Sequence, residues 1–286
     1  MNDDEFRAGE PAMREDDGKD GASAGARRAP ALLGAEPFIA AQFMVAVGSA
    51  DADGAVWVSL LFGKPGFVRS SDGAALRIDM PVKERDLADP AWDNIAPGAE
   101  LGLLFFDLAT RQRCRVAGAV QRLDRRGAEI AVRDAGPDCP RHGARHALRR
   151  LGDPRLPVQT AHGALVRGAI ERIVRRADSL FLARHARSID VSHHGGGAGF
   201  VTPAGPDTLC IQDARGDKRT DKPEDLDSLR AGICIPDFEH GQVLQLTGHT
   251  RRRAVAGAGG SEQHREFAVE RWILRDMPRA LAFEAA

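Results

Sequence analysis

Two segments of this chain are similar in sequence, and this repeat limits the folds available to the chain. Residues 59–68 read SLLFGKPGFV and residues 192–201 read SHHGGGAGFV, with serine at the front and GFV at the back of both. Long-period self-similarity predicts two copies of one folding unit. Further matches follow in order: Ser59 and Ser192, Phe67 and Phe200, and Leu76 and Leu209 are 133 positions apart, and Gly102 and Gly232, Asp107 and Asp237, and Gly118 and Gly248 are 130 apart.

Short apolar runs separated by turn residues fill both copies. Runs bounded by Gly, Pro or Asp are typical of strands, and Asp51-Ala52-Asp53-Gly54 between two such runs predicts a hairpin, because glycine accepts the positive φ of a tight turn. The pattern predicts a mainly β (α+β) fold whose antiparallel sheets curl or close. Helices are predicted at 37–42, within 86–96, and over 142–151, 167–177 and 222–229.

The same pattern divides the chain into parts. Residues 1–35 are polar, rich in Asp, Gly and Ala and without sustained periodicity, which predicts a mobile N-terminal arm. The two copies are predicted to occupy residues 36–150 and 166–286. The segment 151–165, which includes spaced prolines, is predicted to link them.

Charge and composition argue against several classes of protein. Lys and Arg number 40 against 41 Asp and Glu, so no global cationic excess attracts nucleic acid or an anionic membrane. No apolar run approaches the roughly 20 residues that a membrane helix needs. The acidic start MNDDEFRAGE is unlike a signal peptide, and the four cysteines are scattered. These features predict a cytoplasmic protein.

The second copy carries polar motifs in a fixed order: DVSHHGGGAGFV at 190–201, DARGDKR at 213–219, AGICIPDF at 231–238 and LQLTG at 244–248. They resemble the pyridoxamine 5'-phosphate oxidase-like family of FMN-binding proteins, and the resemblance extends from about residue 36 to 283. The first copy keeps LGLLFFDL at 101–108 but has SLLFG at 59–63 instead of the polar run. The resemblance implies two tandem FMN-binding split β-barrels with short helices, the first with a degenerate site.

The resemblance also implies a function, that of an FMN-dependent oxidoreductase with its cofactor in the cleft between the barrels. Flavin supplies the redox chemistry, and the protein supplies cations for the phosphate and close backbone approach. The substrate and the electron donor are not indicated, and no catalytic residue is identified. The residues implied to bind FMN are Ser192, His193, His194, Gly195, Gly196, Asp213, Lys218 and Arg219. If the first barrel contributes to the same cleft, Arg113 and Arg115 are further candidates for the phosphate, because alternate residues of a strand share one face.

This chain departs from the family pattern at two positions. His194 stands where the family has arginine, and Asp217 stands where it has asparagine. A neutral histidine adds no charge, and a carboxylate repels a phosphate, so both changes weaken FMN binding. One alternative is therefore a degenerate, non-catalytic module that binds a flavin, haem or similar anionic ligand. Another is a structural partner of a separate reductase.

Local alternatives also stay open. The glycine run fits a plain β-turn, and Arg111–Arg115 fits a solvated strand face. Neighbouring histidines on a strand point to opposite faces, so no metal site is predicted at His193 and His194. The three tryptophans are predicted to be packing residues. Two copies in one chain imply a pseudo-dimer and leave a further homodimer open.

Overall fold

The structure, a computed structural model, describes residue 32 and residues 34–137, 146–154, 158–212, 228–257 and 260–285. Over these residues the chain is mainly β, with curled sheets and a few short helices. The α-helices are α1 (Glu36–Ala41), α2 (Pro90–Asn94) and α3 (Ala169–Arg176).

The first sheet has seven strands: β1 (Met44–Ala50), β2 (Val56–Phe62), β3 (Val68–Arg69), β4 (Ala75–Asp79), β5 (Glu100–Phe106), β6 (Arg113–Asp124) and β7 (Gly127–Pro137). Their spatial order is β2-β1-β5-β6-β7-β4-β3, and neighbouring strands are antiparallel.

The second sheet has eight strands: β9 (Thr160–Gly163), β10 (Ser179–His185), β11 (Ile189–Gly195), β12 (Val201–Pro203), β13 (Thr208–Gln212), β14 (Leu229–Asp237), β15 (Gln242–Gly257) and β16 (Gly260–Asp276). Its order is β11-β10-β14-β15-β16-β13-β12, and β9 pairs with β16 outside that path. A separate two-stranded sheet joins β8 (His146–Pro154) to β17 (Arg279–Ala285).

The two large sheets share one strand order, with β10 to β16 in the places of β1 to β7. Their registers agree as well, since Gly102 pairs with Ala117 in the first sheet as Gly232 pairs with Thr247 in the second. The next pairings, β6 with β7 and β15 with β16, each shift register directly after Ala117 and Thr247, respectively. The residue pairs of the sequence repeat therefore occupy equivalent positions in the two sheets.

The end strand of each sheet packs against the other sheet. A Cβ added to Gly102 would lie 2.5 Å from the carbonyl oxygen of Ile189, and one added to Gly232 would lie 2.5 Å from that of Val56. Because Ile189 and Val56 are themselves 133 positions apart, the two contacts are equivalent. Glycine is needed at both places because no side chain fits between the backbones.

A third glycine lies where the equivalent strands β1 and β10 approach each other. Gly48 and Ala183 are equivalent in register, and a Cβ added to Gly48 would lie 3.1 Å from that of Ala183. Contact between two equivalent positions indicates an approximate two-fold axis between the sheets.

Three buried apolar clusters stabilise this arrangement. One lies within the first sheet and its helices, and Leu32 packs into it. The second lies within the second sheet and α3. The third joins residues of both sheets, including Val58, Leu104, Phe181 and Val191. Burial of this inter-sheet cluster is the main apolar contribution to their association.

Several predictions of secondary structure are confirmed. Helices are present at 36–41, 90–94 and 169–176, inside or beside the predicted ranges. The hairpin at Asp51–Gly54 joins β1 to β2, and Gly54 has a φ of 78°. Trp57 and Trp92 are buried, as predicted for packing residues.

Other predictions are wrong or incomplete. The helix predicted over 142–151 is wrong, because residues from His146 onward form β8 and pair with β17. Pairing with the distant C-terminal segment overrides local helix propensity here. Strands β16 and β17 were missed, and β9 lies inside the predicted linker. The predicted helix 222–229 lies largely outside the described residues, and Leu229 already belongs to β14.

None of the helices in the described residues is long and apolar enough to cross a membrane.

Candidate functional site

The polar residues of β11 lie beside the boundary between the two sheets. Ser192 and His193 are 8% and 3% exposed, whereas His194 is partly exposed. Ser192 Oγ donates to the carbonyl oxygen of Leu182 and lies 3.1 Å from His194 Nε2. Since β11 continues through Gly195, His193 faces the side opposite to both neighbours, as predicted.

His193 lies in a closed cluster built by both sheets. Its ring stacks on Phe106, with 4.3 Å between the centroids, and Phe181 is 5.1 Å away. Arg113 Nη2 lies 2.9 Å from Nδ1, and Ser179 Oγ lies 2.6 Å from Nε2. Because a guanidinium can only donate, Nδ1 accepts and the Nε2–H donates to Ser179. The contacts therefore select the neutral tautomer protonated on Nε2.

The surroundings keep this histidine neutral. Burial, followed by the positive charges of Arg113 and His194, holds the pKa of His193 well below its usual value of 6.5. In a serine hydrolase the histidine beside the serine is oriented by a carboxylate, whereas here a guanidinium takes that place and lowers its basicity. The Ser179–His193 pair is therefore a packing element and not a nucleophilic pair.

Arg115 lies two residues further along β6 and faces β11 as Arg113 does. Its Nη1 donates to Asp190 Oδ1 at 2.9 Å, and the other oxygen of Asp190 lies 3.9 Å from Arg184. Arg113 is 4% exposed. The alternative of a solvated strand face is thus wrong for Arg113, and both arginines lie against the second sheet.

A cavity of about 230 Å³ opens beside the Arg115–Asp190 ion pair, between β6–β7 and β11. We call this boundary cleft 1. Two of its walls carry carboxylates and one carries a guanidinium, whereas small residues leave space between them. The walls include Arg115, Ala117, Asp134, Gly136, Ile189 and Asp190.

The glycine run has a packing explanation. A Cβ added to Gly196 would lie 2.6 Å from Phe200 Cβ, and Gly63 makes the same close approach to Phe67 in the first sheet. The Phe200 N–H donates to the carbonyl oxygen of Gly197, which closes a turn. The turn interpretation therefore accounts for Gly196. Gly195 ends β11, and Asp213, Lys218 and Arg219 lie outside the described residues.

A buried polar network that the sequence did not indicate joins the two sheets at their other boundary, where β15 and β16 face β2. Arg275 is 1% exposed in the side chain and donates to both Asp86 and Asp89. Its Nε donates to Gln245 Oε1 at 2.9 Å, and Gln245 Nε2 donates to Ser59 Oγ at 3.0 Å. Two carboxylates share one guanidinium, and burial raises the pKa of Asp89 to about 6 and lowers that of Arg275 to about 10.

Sequence reasoning missed this network because β16 itself was missed. The repeat did contain one signal: Gln245 stands 130 positions after Arg115, which makes it the equivalent of that candidate site residue in the second copy. The sequence likewise gives no signal for Phe106, Ser179 or Asp134 as site residues, whereas Asp190 opens the motif DVSHHGGGAGFV.

The described residues offer no obvious metal or thiolate chemistry. Over the described ranges, no group of three or more His, Cys, Asp and Glu side chains converges as metal ligands. Burial raises the pKa of the Cys114 and Cys234 thiols, so neither is activated as a nucleophile.

No protein-family model matches this chain, and no curated protein matches it. Among solved structures, the chain is similar to the inhibitor of motility MotI/DgrA from Bacillus subtilis, with 10% identity over 79% of this chain and 86% of that one and a TM-score of 0.25. It is also similar to MrkH from K. pneumonia in complex with c-di-GMP, with 8% identity over 79% and 77% of the two chains and a TM-score of 0.22. At these TM-scores neither likeness supports a functional conclusion.

Proposed function

We propose that this chain is an FMN-binding flavoprotein built from two tandem split β-barrels, with an oxidoreductase activity and its cofactor in cleft 1. The first barrel corresponds to residues 36–150, the linker to 151–165 and the second barrel to 166–286. The observation that carries the proposal is the cavity between the sheets, beside the strand that holds the polar motif.

The residues of cleft 1 fit one part of the cofactor. A cavity of about 230 Å³ is smaller than the roughly 300–1,000 Å³ of typical ligand pockets, so it would hold only one portion of FMN. Arg115 in the cleft wall would provide a cation for the phosphate, and Arg184, 3.9 Å from Asp190 outside the lining, would add positive charge. Ala117, Ala135 and Gly136 leave the room that larger side chains would occupy.

The carboxylate of Asp190 competes with an incoming anion for the guanidinium of Arg115. This carboxylate already accepts from Arg115 and lies near Arg184, so an incoming phosphate must replace it. Flavin, when bound, supplies the redox chemistry, and the protein contributes cations, shape and exclusion of water. Cleft 1 therefore binds FMN with an affinity reduced by an internal competitor.

The proposal is tested by titrating FMN fluorescence with Arg115→Ala and Asp190→Ala. Arg115→Ala should weaken FMN binding about tenfold, the effect of losing about 1.4 kcal/mol from a charge-assisted hydrogen bond. Asp190→Ala should strengthen it, because the competitor for Arg115 is removed. Riboflavin, which lacks the phosphate, should bind all three proteins equally.

Matched controls come from the exposed Arg69–Asp79 pair, at the far end of the first sheet. Arg69→Ala and Asp79→Ala should leave FMN affinity unchanged. If the cleft variants behave like these controls, the ligand lies elsewhere; if no variant and no wild-type protein quenches FMN, the proposed function is wrong. The pair Lys218 and Arg219 is tested in the same assay by a double substitution to alanine.

A second candidate function is ligand binding without turnover. It is favoured by His193, whose two ring nitrogens are both engaged within the protein, so it does not present an acid or base to a ligand. Steady consumption of a reduced nicotinamide by the FMN-loaded protein would favour the oxidoreductase. Saturable FMN binding with no such consumption would favour the binding module.

A further inference from the structure

The boundary equivalent to cleft 1 lies between β15–β16 and β2, and we call it cleft 2. Register identifies its residues. Ala117 pairs with Asp134 across β6 and β7, and Thr247 pairs with Arg271 across β15 and β16. Asp134 of cleft 1 therefore corresponds to Arg271 of cleft 2.

The facing strands show the same correspondence. Asp190 precedes Val191, which pairs with Ala183 in β10. Trp57 precedes Val58, which pairs with Gly48 in β1. An indole in cleft 2 thus stands where cleft 1 has a carboxylate. Other side chains in the walls are also larger in cleft 2 than in cleft 1, because Ala135 and Gly136 of cleft 1 correspond to Trp272 and Ile273 of cleft 2.

The Trp57 side chain is held in place by two charged groups. Its Nε1–H donates to Asp51 Oδ2 at 3.3 Å, and the Arg271 guanidinium lies 5.6 Å from the ring centroid. Arg271 also donates to the same Asp51 oxygen at 3.2 Å. Although Arg271 is exposed, Trp57 is only 4% exposed. The hairpin residue Asp51 therefore positions the indole inside the cleft.

We propose that Trp57 closes cleft 2, so that the chain binds one ligand and not two. The inference rests on the proposed function for the nature of the ligand, but the closure itself depends only on packing. An indole clamped by Asp51 and Arg271 fills the volume that Asp190 leaves open at the equivalent position, and close-packed interiors leave no room for a ligand around it.

Thiol labelling tests the closure without any ligand. Ala117→Cys and Thr247→Cys place a thiol at equivalent positions of clefts 1 and 2, where Ala117 is partly exposed and Thr247 is fully buried. A small methanethiosulfonate reagent should modify Ala117→Cys at least about tenfold faster, because modification needs access of the reagent to the thiolate. Labelled peptides are identified by mass spectrometry, with the wild-type protein reporting the native cysteines.

Exchange of the two key residues makes the test sharper. Trp57→Gly should raise the labelling rate of Thr247→Cys to that of Ala117→Cys. The reverse exchange, Asp190→Trp, alters a partly exposed residue and should slow Ala117→Cys to the rate of Thr247→Cys, which keeps the test decisive should Trp57→Gly fail to fold. Equal rates with Trp57 in place, or no effect of Asp190→Trp, would overturn the closure.

Calorimetric titration with FMN then separates the two proposals. One FMN per wild-type chain, lost in Asp190→Trp, supports both. Two FMN per chain would overturn the closure and leave the proposed function intact. Absence of FMN binding would end the proposed function, while the difference in labelling between the clefts would still stand.

Discussion

Cleft 1 and cleft 2 lie on equivalent strands with equivalent registers, yet one has a cavity beside an ion pair and the other holds a buried indole. The backbone approach is the same in both, because a Cβ added to Gly102 or to Gly232 would lie 2.5 Å from the facing carbonyl oxygen. The difference between the clefts is therefore one of side-chain volume and charge. A duplicated fold can keep its architecture by keeping the glycines while its two sites diverge.

The polar contents of the two boundaries also differ in type. On one side a neutral His193 is enclosed by Arg113, Ser179 and two phenylalanines. On the other, Arg275 is shared by two buried carboxylates. Protonation of His193 would destabilise the first boundary, and loss of the Arg275 guanidinium would destabilise the second. These differences can be separated by mutation.

The largest effect is expected from Arg275→Met. Removal of the guanidinium leaves Asp86 and Asp89 buried without their cation, which should lower the free energy of unfolding by about 3–5 kcal/mol. Urea denaturation followed by circular dichroism measures this loss. Arg251→Met removes the exposed partner of Glu266 and should cost less than about 1 kcal/mol. Similar losses for both variants would show that the buried network does not join the sheets strongly.

The next effect concerns what the two boundaries share. Gly102→Ala and Gly232→Ala each force a methyl group against a backbone carbonyl, so each should cost about 1–3 kcal/mol, and the two losses should be alike. Gly136→Ala has no neighbour within 4 Å of the added carbon and should be neutral or slightly stabilising. A loss at only one of the two glycines would break the equivalence of the boundaries.

A smaller effect should appear in the pH dependence of stability. The pKa of His193 is lowered in the folded protein, so below about pH 6.5 His193 is protonated in the unfolded chain but stays neutral in the folded protein. The contribution of neutral His193 to the free energy of unfolding is therefore complete above about pH 6.5. It is lost as the pH falls, by up to about 1.4 kcal/mol per pH unit. His193→Leu, which installs the residue of Leu60 at the equivalent place, should remove this part of the slope.

Urea denaturation at pH 7, 6 and 5 measures the difference between wild type and His193→Leu. The opposite contribution of Asp89, whose raised pKa of about 6 favours the folded state at low pH, is common to both proteins and cancels. Ser179→Ala should keep the slope, because burial is the main cause of the shift. Parallel pH profiles for wild type and His193→Leu would mean that His193 stays neutral in both states or protonates without cost.

Much of the architecture could be read from the chain itself. Turn residues between apolar runs indicated a mainly β fold, and the matched positions from Ser59 to Gly248 agree with the pairing of both sheets. These signals are local or periodic, so they survive without knowledge of the tertiary structure. The helix predicted over 142–151 failed for the opposite reason, since β8 exists only through its pairing with the C-terminal β17.

The candidate site was predicted less completely. Ser192, His193, Arg113 and Arg115 do lie at the inter-sheet boundary, but of these four only Arg115 lines cleft 1. Arg113 stacks on Phe106 and donates to His193, while Arg115 donates to Asp190. Which cation meets which acceptor depends on how β6 approaches β11, and no spacing along the chain encodes that approach.

The sequence by itself determined that this protein repeats one β-rich unit and that only its second copy carries the polar motif. Tertiary structure alone decided that Trp57, Asp51 and Arg271 occupy one cleft while Asp190 leaves the other open, and that Arg275 is buried between two carboxylates. The physical reason is that periodicity and turn chemistry act between near neighbours in the chain. Volume and charge at a boundary depend on residues 75 to 220 positions apart, which only folding brings into contact.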